Sequence, residues 1–190
     1  MAKTGERKAQ ILQTLAGMLE DPKGERITTA LLAARLDVSE AALYRHFASK
    51  AQMFEGLIEF IEQTLFTLVN KIQAEEKDAL KQVEATVTTL LGFSQKNPGM
   101  TRVLIGDALV NEDDRLQARV NQLLDRLEAS LRQSARLAIT AGTFPPDWDA
   151  NAYANAIIAF VLGRWHQFAK SGFKRAPMEG WPQQWRIFAA

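Results

Sequence analysis

The stretch from Ile27 to Phe54 constrains the fold more than any other part of the sequence, because it predicts two short helices joined by a tight turn. The first helix is expected to begin at a threonine cap, Thr28 or Thr29, whose hydroxyl can accept a hydrogen bond from an unpaired backbone N–H. It should end near Leu36. Asp37 follows where the turn needs left-handed backbone angles, which aspartate adopts at modest cost. The stretch therefore predicts a helix-turn-helix unit.

The second helix of this unit is predicted to begin at Ser39 and to offer its exposed face to a ligand. Small side chains at the start of such a helix can meet base edges in a DNA major groove, while hydrogen-bonding side chains at its end reach phosphates. A surface hairpin that binds nothing is the alternative at this point. The residues expected to contact DNA are Thr28, Ser39, Glu40, Ala41, Tyr44, Arg45, His46 and Lys50.

Composition does not by itself predict nucleic-acid binding, since the net charge is +1 and the first fifty residues hold eight Lys and Arg against six Asp and Glu. Any DNA contact must therefore come from the local placement of charge. The lack of cysteine excludes disulfides, a thiolate nucleophile and a zinc finger, and it fits a reducing cytoplasm. The N-terminus carries no apolar run long enough for a signal peptide. We therefore expect a soluble cytoplasmic protein.

The rest of the chain predicts helices, so the expected fold class is all-α. A long helix over residues 50–76, capped by Ser49, has an apolar stripe that includes Leu68 and leaves Phe60 outside. We expect a helix-turn-helix DNA-binding domain over residues 1–49 and a helical dimerisation and partner-binding domain over residues 50–190. The other long helices are predicted over residues 6–21, 80–96, 99–111, 112–140 and 149–171, before an irregular aromatic tail.

Gly92 lies in the middle of the predicted helix over residues 80–96, where a glycine costs about 1 kcal/mol relative to alanine. It shares the polar side of that helix with Ala85, Thr89 and Lys96. Two explanations are open. Another helix packs closely against the glycine, or the face forms a shallow groove that admits a peptide.

The last long helix is apolar on more than one face, and Val161 and Trp165 belong to this excess. A helix that needs more cover than one neighbour provides predicts a subunit interface. Pairing the last two long helices with their copies would give a four-helix bundle. We therefore expect a symmetric dimer with Val161 and Trp165 in its interface.

Catalytic and metal-binding chemistry is not predicted. The two histidines, His46 and His166, have no carboxylates or second imidazole at metal-ligand spacing. The glycines are dispersed and do not form a phosphate-binding loop. We therefore expect a protein that is not an enzyme and needs no metal or cofactor.

The segment from Val38 to Lys50 reads Val-Ser-x-x-x-Leu-Tyr-x-His-Phe-x-x-Lys and resembles the helix-turn-helix of TetR-type regulators. Over about residues 6–135, further strings are similar, more narrowly, to the nucleoid occlusion factors within that group. The resemblance implies a TetR-like fold with an N-terminal three-helix DNA-binding head and a C-terminal helical dimerisation body. The strings include Leu57–Glu62, Leu90–Phe93, Asn97–Arg102 and Asp114–Gln117.

In that family a homodimer binds palindromic sites on chromosomal double-stranded DNA. While bound, it engages the tubulin-like division protein FtsZ and prevents a division ring from assembling over the nucleoid. The resemblance therefore implies a nucleoid-associated protein with DNA and FtsZ as partners and no membrane partner. The positions that match the FtsZ-binding residues of the family are Phe60, Thr89, Gly92, Lys96 and Asn97.

The sequence departs from the family pattern at three positions that bear on these expectations. Leu68 stands where a basic residue is expected, Thr89 replaces a leucine, and Asp37 replaces the usual turn glycine. The rival hypothesis is a ligand-responsive TetR-type transcriptional repressor whose helical body binds a small inducer. An enclosed aromatic pocket that binds a metabolite and weakens DNA binding would favour this rival.

Overall fold

The computed structural model describes residues 4–21 and 27–189, and within these ranges the chain forms helices and no strand. The predicted all-α fold class is therefore confirmed. The α-helices are α1 (Thr4–Met18), α2 (Thr29–Arg35), α3 (Glu40–Tyr44), α4 (Lys50–Glu75), α5 (Ala79–Lys96), α6 (Pro98–Leu104), α7 (Asp114–Thr140), α8 (Ala150–Lys170) and α9 (Trp181–Phe188). A single 3-10 turn, Asp107–Leu109, is described between α6 and α7.

The helix-turn-helix forms as its cap residues predict. The Thr28 hydroxyl accepts a hydrogen bond from the backbone N–H of Leu31 at 3.2 Å, which fixes the start of α2. Asp37 has a φ of 53°, so it adopts the left-handed turn conformation without a glycine. The Ser39 hydroxyl caps α3 by accepting from the N–H of Ala42 at 3.3 Å. Local side-chain chemistry therefore sets where both helices of this unit begin and where the chain turns between them.

Two predicted elements differ from the structure. The helix expected over residues 99–111 ends at Leu104, because Gly106 turns the chain with a φ of 78° that an L side chain rarely adopts. The tail expected to be irregular contains α9, which starts after a second left-handed glycine, Gly180, and carries Pro182 in its first turn. Proline is tolerated there because the first N–H groups of a helix have no partner within it.

The chain divides into two compact units. Unit 1 comprises residues 1–61 and 97–120, and unit 2 comprises residues 62–96 and 121–190. Unit 1 therefore contains the helix-turn-helix together with α6, which is distant in sequence. The division into domains of residues 1–49 and 50–190 stays a prediction.

Within unit 1, α6 packs directly on the backbone of α1. A Cβ atom placed on Gly99 would lie 2.0 Å from the carbonyl oxygen of Ala16, so only glycine allows this approach. Arg102 strengthens the contact by donating to the carbonyl oxygens of Leu19 and Asp21, each at 3.3 Å. Its Nε atom also donates to Asp107 at 2.7 Å. The bonds to Leu19 and Asp21 hold α6 against the residues that follow α1.

Within unit 2, α5 and α8 share an apolar contact that buries Val161 and Trp165 completely. The indole N–H of Trp165 donates to the carbonyl oxygen of Leu90 at 3.3 Å. The prediction that Val161 and Trp165 lie in a dimer interface is therefore wrong. The excess apolar surface of α8 is real, but both residues are already buried within the chain, and Trp165 contacts α5.

Candidate nucleic-acid interface and partner-binding residues

The second helix of the helix-turn-helix, α3, exposes the face that the sequence predicted. Ser39, Glu40, Ala41 and Arg45 are exposed, and the ring of Tyr44 is 45% exposed. Leu43 and Phe47 are buried and anchor the helix to the core of unit 1. Ser39 and Ala41 at the start of the face are small, and the longer hydrogen-bonding side chains lie at its end, an arrangement compatible with reading a major groove.

Hydrogen bonds between three side chains join α2 and α3 of the helix-turn-helix. The Thr29 hydroxyl donates to the Glu40 carboxylate at 2.5 Å, and the Tyr44 hydroxyl donates to Thr29 at 3.5 Å. Glu40 is predicted to contact DNA, which stays a prediction, and in the structure its carboxylate links α3 to Thr29 of α2. Thr29 was considered only as a cap, because nothing in the local sequence shows that it faces a residue eleven positions away.

Lys50 begins α4 and forms an ion pair with Glu112, a residue just before α7. Both side chains are largely covered, with exposures of 21% and 11%, and the ammonium lies 5.6 Å from the ring centroid of Phe54. Sequence reasoning missed Glu112 because 62 positions separate it from its partner. A DNA phosphate that contacts Lys50 must therefore compete with a carboxylate already in place.

The two remaining DNA candidates differ in environment. Thr28 is exposed, but its hydroxyl already caps α2. His46 is half-buried, and its Nδ1 atom is buried with no hydrogen-bond partner among the described residues. Neither side chain is thus fully available for a base contact in this conformation.

The residues expected to bind FtsZ lie on two helices and at the cap of a third. Phe60 lies on α4 in unit 1 and is 49% exposed, as its position outside the apolar stripe predicted. Thr89, Gly92 and Lys96 lie on α5 in unit 2, with Lys96 exposed and the other two half-buried. Asn97 occupies the N-cap position of α6 in unit 1, and its carbonyl oxygen accepts from the Thr101 hydroxyl at 3.0 Å.

Gly92 has open space where a side chain would point. A Cβ atom built on it would meet no heavy atom of the described residues within 4 Å, leaving aside the backbone of its own helix. Gly99 provides the contrast, since its Cβ would overlap a neighbouring helix. The explanation that Gly92 serves close helix packing is therefore wrong, and the explanation that it leaves room for a ligand is retained.

The apolar stripe of α4 was predicted imperfectly at Leu68, which is 40% exposed. Leu57 lies on the same side of the helix but is buried. Helical periodicity predicts the face of the helix on which a residue lies. It does not predict over what length of the helix other elements cover that face. The partly exposed Phe66 is covered by the guanidinium of Arg126, whose Cζ atom lies 3.9 Å from the ring centroid.

Residues 4–21 and 27–189 bring together no group of three or more His, Cys, Asp or Glu side chains suited to a metal ion. Over the same ranges, no helix has the length and apolar character needed to cross a bilayer.

Comparisons with known proteins place these features in a family. Residues 77–190 match the SlmA-like family described as "Tetracyclin repressor-like, C-terminal domain", and residues 25–57 match "Bacterial regulatory proteins, tetR family". The nucleoid occlusion factor SlmA of Alteromonas mediterranea is 53% identical over 186 residues, covering 98% of this chain and 95% of that protein. SlmA of a Marinomonas species is 50% identical over 187 residues, with coverage of 98% and 95%. Among solved structures, the fatty acid degradation regulator FadR of Bacillus halodurans has a TM-score of 0.81 at 15% identity, covering 99% of this chain and 97% of that one.

Proposed function

This chain belongs to the SlmA family of TetR-type DNA-binding regulators, and we propose that it is a nucleoid occlusion factor that binds FtsZ while it is bound to chromosomal DNA. Proteins of this family are regulators and not enzymes. The proposal assigns DNA reading to the exposed face of α3. It assigns FtsZ binding to Phe60, Thr89, Gly92, Lys96 and Asn97, and the effect would be to prevent division-ring assembly over the nucleoid.

The open space at Gly92 is the observation that carries the FtsZ part of the proposal. A glycine in the middle of α5 weakens the helix, and no contact within the described residues requires it. A partner whose backbone passes close to α5 would require it. Lys96 on the same helix supplies a charge for an acidic peptide, and the exposed ring of Phe60 on α4 supplies an apolar anchor.

Co-sedimentation with polymerising FtsZ, with and without a DNA duplex that carries the binding site, tests the function as a whole. We expect the protein to enter the pellet with FtsZ, and more of it to do so when the DNA site is present. A protein that binds its operator, ignores FtsZ and releases DNA on addition of a metabolite would instead be a TetR-type repressor.

Substitution of Gly92 should separate stability from partner binding. Gly92→Ala should stabilise the fold by up to about 1 kcal/mol, since alanine is the better helix former and the site is open. The same methyl group should weaken FtsZ binding, and the larger Gly92→Leu should abolish it. Binding of FtsZ can be followed by fluorescence anisotropy and stability by urea denaturation.

Lys81→Leu is the control for this experiment, because it adds an exposed leucine to the same helix about three turns away. It should leave FtsZ affinity unchanged, and all three variants should retain DNA affinity. If Gly92→Leu is folded and binds FtsZ as the wild type does, α5 is not the docking element.

The role of Lys50 in DNA binding can be separated from its ion pair. If Lys50 contacts a phosphate, Lys50→Ala should weaken all DNA sequences alike and lower the slope of log K against log salt by about 1. Glu112→Gln should then strengthen DNA binding, because it releases the ammonium from its carboxylate. A loss of affinity in both variants would show that the pair acts by supporting the fold and that Lys50 does not contact DNA.

Base reading by α3 is best tested at Ala41. Ser39→Ala would remove a helix cap and so change stability by about 1 kcal/mol as well as any base contact. Ala41 is exposed and caps nothing, so Ala41→Ser should alter the preference among operator variants and lower stability by less than about 0.7 kcal/mol. An equal change in affinity for every sequence would contradict the placement of α3 in the groove.

The proposed dimer needs a different face of α8 from the one predicted. Exposed small residues recur along one face of this helix every three or four positions, and the glycine among them has open space at its Cβ position. Such a stripe lets two helices approach closely. The stripe consists of Ala152, Ala156, Ala159 and Gly163.

Ala159→Glu should therefore convert the dimer into a folded monomer, because an unpaired carboxylate in an apolar interface is costly. Sedimentation velocity at micromolar concentration gives the oligomeric state, and circular dichroism confirms folding. Gln183→Glu on the exposed side of α9 should leave the dimer intact. Persistence of the dimer in Ala159→Glu would exclude the stripe as the interface.

A further inference from the structure

The C-terminal part of the chain holds a concentration of positive charge that the proposed function does not use. Residues 150–178 contain no Asp or Glu, whereas they contain Arg164, Lys170, Lys174 and Arg175 as well as His166. The net charge of the whole chain is only +1, so this segment differs sharply from the average. Like charges held together repel one another, and a segment of this kind favours an anionic partner.

Part of this charge surrounds an open groove in unit 2. The groove has a volume of about 470 Å³ and is lined by His166, Gln167, Lys170, Ser171 and Arg175. All five residues have polar side chains, and three of them are basic. His166 and Lys170 are four residues apart on α8, so they lie side by side on one face of the helix.

The loop that presents Arg175 is held in place by its own hydrogen bonds. The Ser171 hydroxyl accepts from the backbone N–H of Lys174 at 3.1 Å and from that of Arg175 at 2.9 Å. The ring of Phe173 packs edge-on against Phe168 with 5.1 Å between centroids. The backbone that carries these cations is therefore fixed before any ligand arrives, which lowers the entropic cost of binding.

Arg164 fixes the backbone of residues 176–179, which follow this loop, by hydrogen bonds. Its guanidinium donates to the carbonyl oxygens of Ala176 at 2.9 Å, Pro177 at 3.1 Å and Glu179 at 2.7 Å. Arg164 is thus a structural residue, and the groove depends on the other cations.

The helix dipole explains the position of only one of the basic residues around the groove. Lys170 lies in the last turn of α8, where the helix dipole favours a positive charge. His166 lies one turn earlier, and Lys174 and Arg175 lie beyond the helix end, so the dipole does not explain why these residues accompany Lys170. The helix dipole therefore leaves most of this cluster of basic side chains unexplained.

We propose that this groove binds a compact oligophosphate, such as the phosphate chain of a nucleotide. The guanidinium of Arg175 can bind two phosphate oxygens at once, and the Lys170 ammonium and His166 imidazole can bind neighbouring oxygens from the helix side. A concave groove suits a short, highly charged anion better than a long duplex, which needs cations spread along a face. In the proposed dimer the groove begins one turn beyond Gly163, at the end of the small-residue stripe of α8.

Isothermal titration calorimetry with tripolyphosphate on the 190-residue protein tests this site at low ionic strength. The wild type should bind tripolyphosphate, and the double variant Lys170→Ala, Arg175→Ala should bind it at least tenfold more weakly. Lys81→Ala, which removes an exposed lysine from α5, should change the affinity less than twofold. All substituted side chains are exposed, so the variants should fold, and circular dichroism and sedimentation confirm it.

Parallel titrations with ATP, sulfate and a duplex that lacks the operator distinguish the sources of phosphate. Binding of ATP that the double variant loses would identify a nucleotide as the ligand class. Equal affinity for sulfate and tripolyphosphate would mean attraction of any anion and would overturn the proposal. A double variant that loses duplex binding but keeps tripolyphosphate binding would also overturn it, because the patch would then be a nucleic-acid surface.

Discussion

Replacing Gly99 with alanine should destabilise the protein by about 3 kcal/mol, although the change adds a single methyl group. The new Cβ atom would lie 2.0 Å from the carbonyl oxygen of Ala16, 3.0 Å from its carbonyl carbon and 3.1 Å from the Cβ of Leu19. The first two atoms belong to the backbone, so no change of rotamer can relieve the overlap. The helices α1 and α6 would have to separate, with loss of the Arg102 bonds to Leu19 and Asp21.

Urea denaturation followed by circular dichroism measures this effect, and Gly17→Ala is the matched control. Gly17 also lies in this part of unit 1, but a Cβ atom on it would meet nothing within 4 Å among the described residues. The control should be neutral or slightly stabilising, since alanine favours a helix. A Gly99→Ala protein as stable as the wild type would show that α6 does not pack on α1 at this distance.

Replacing Trp165 with alanine should cost about 3–5 kcal/mol, the range found when a large buried aromatic side chain is removed from a core. The indole is completely buried in unit 2, and its N–H donates to the carbonyl oxygen of Leu90. Trp165→Phe should lose the hydrogen bond, worth about 1 kcal/mol, together with part of the volume. The order of stability should be wild type, then Trp165→Phe, then Trp165→Ala.

The same residue distinguishes a core position from an interface position. Trp165→Glu should unfold unit 2, because a carboxylate would be buried without a partner. A variant that stays folded and sediments as a monomer would instead restore Trp165 to the dimer interface. Circular dichroism and sedimentation velocity on one sample decide between these results.

The sequence was most informative where structure depends on neighbouring residues. Thr28 and Ser39 gave the helix starts because a cap needs only a hydroxyl and an N–H two or three positions later. Asp37 gave the turn because few residues accept a positive φ. The exposure of Phe60 followed from the helical period, which places it outside the buried stripe of α4.

The sequence was least informative where contact partners are far apart along the chain. Glu112 carries no sign that it pairs with Lys50, and nothing near Trp165 shows that α5 covers it. Excess apolar surface on α8 indicates that cover is needed, and it does not say whether the cover comes from the same chain or from a second copy. At Gly92 the residue type allowed two explanations, and only the atoms around it could decide.

The contact between Gly99 and Ala16 also limits how this protein can be recombined with others. Unit 1, which contains the helix-turn-helix, is assembled from two stretches of chain, since residues 97–120 belong to the same compact unit as the first 61 residues. A fragment that stops after the helix-turn-helix would leave the α6-binding surface of α1 open to water. A chimaera that carries this helix-turn-helix on another protein would therefore need both stretches of unit 1, joined so that α6 still packs against α1.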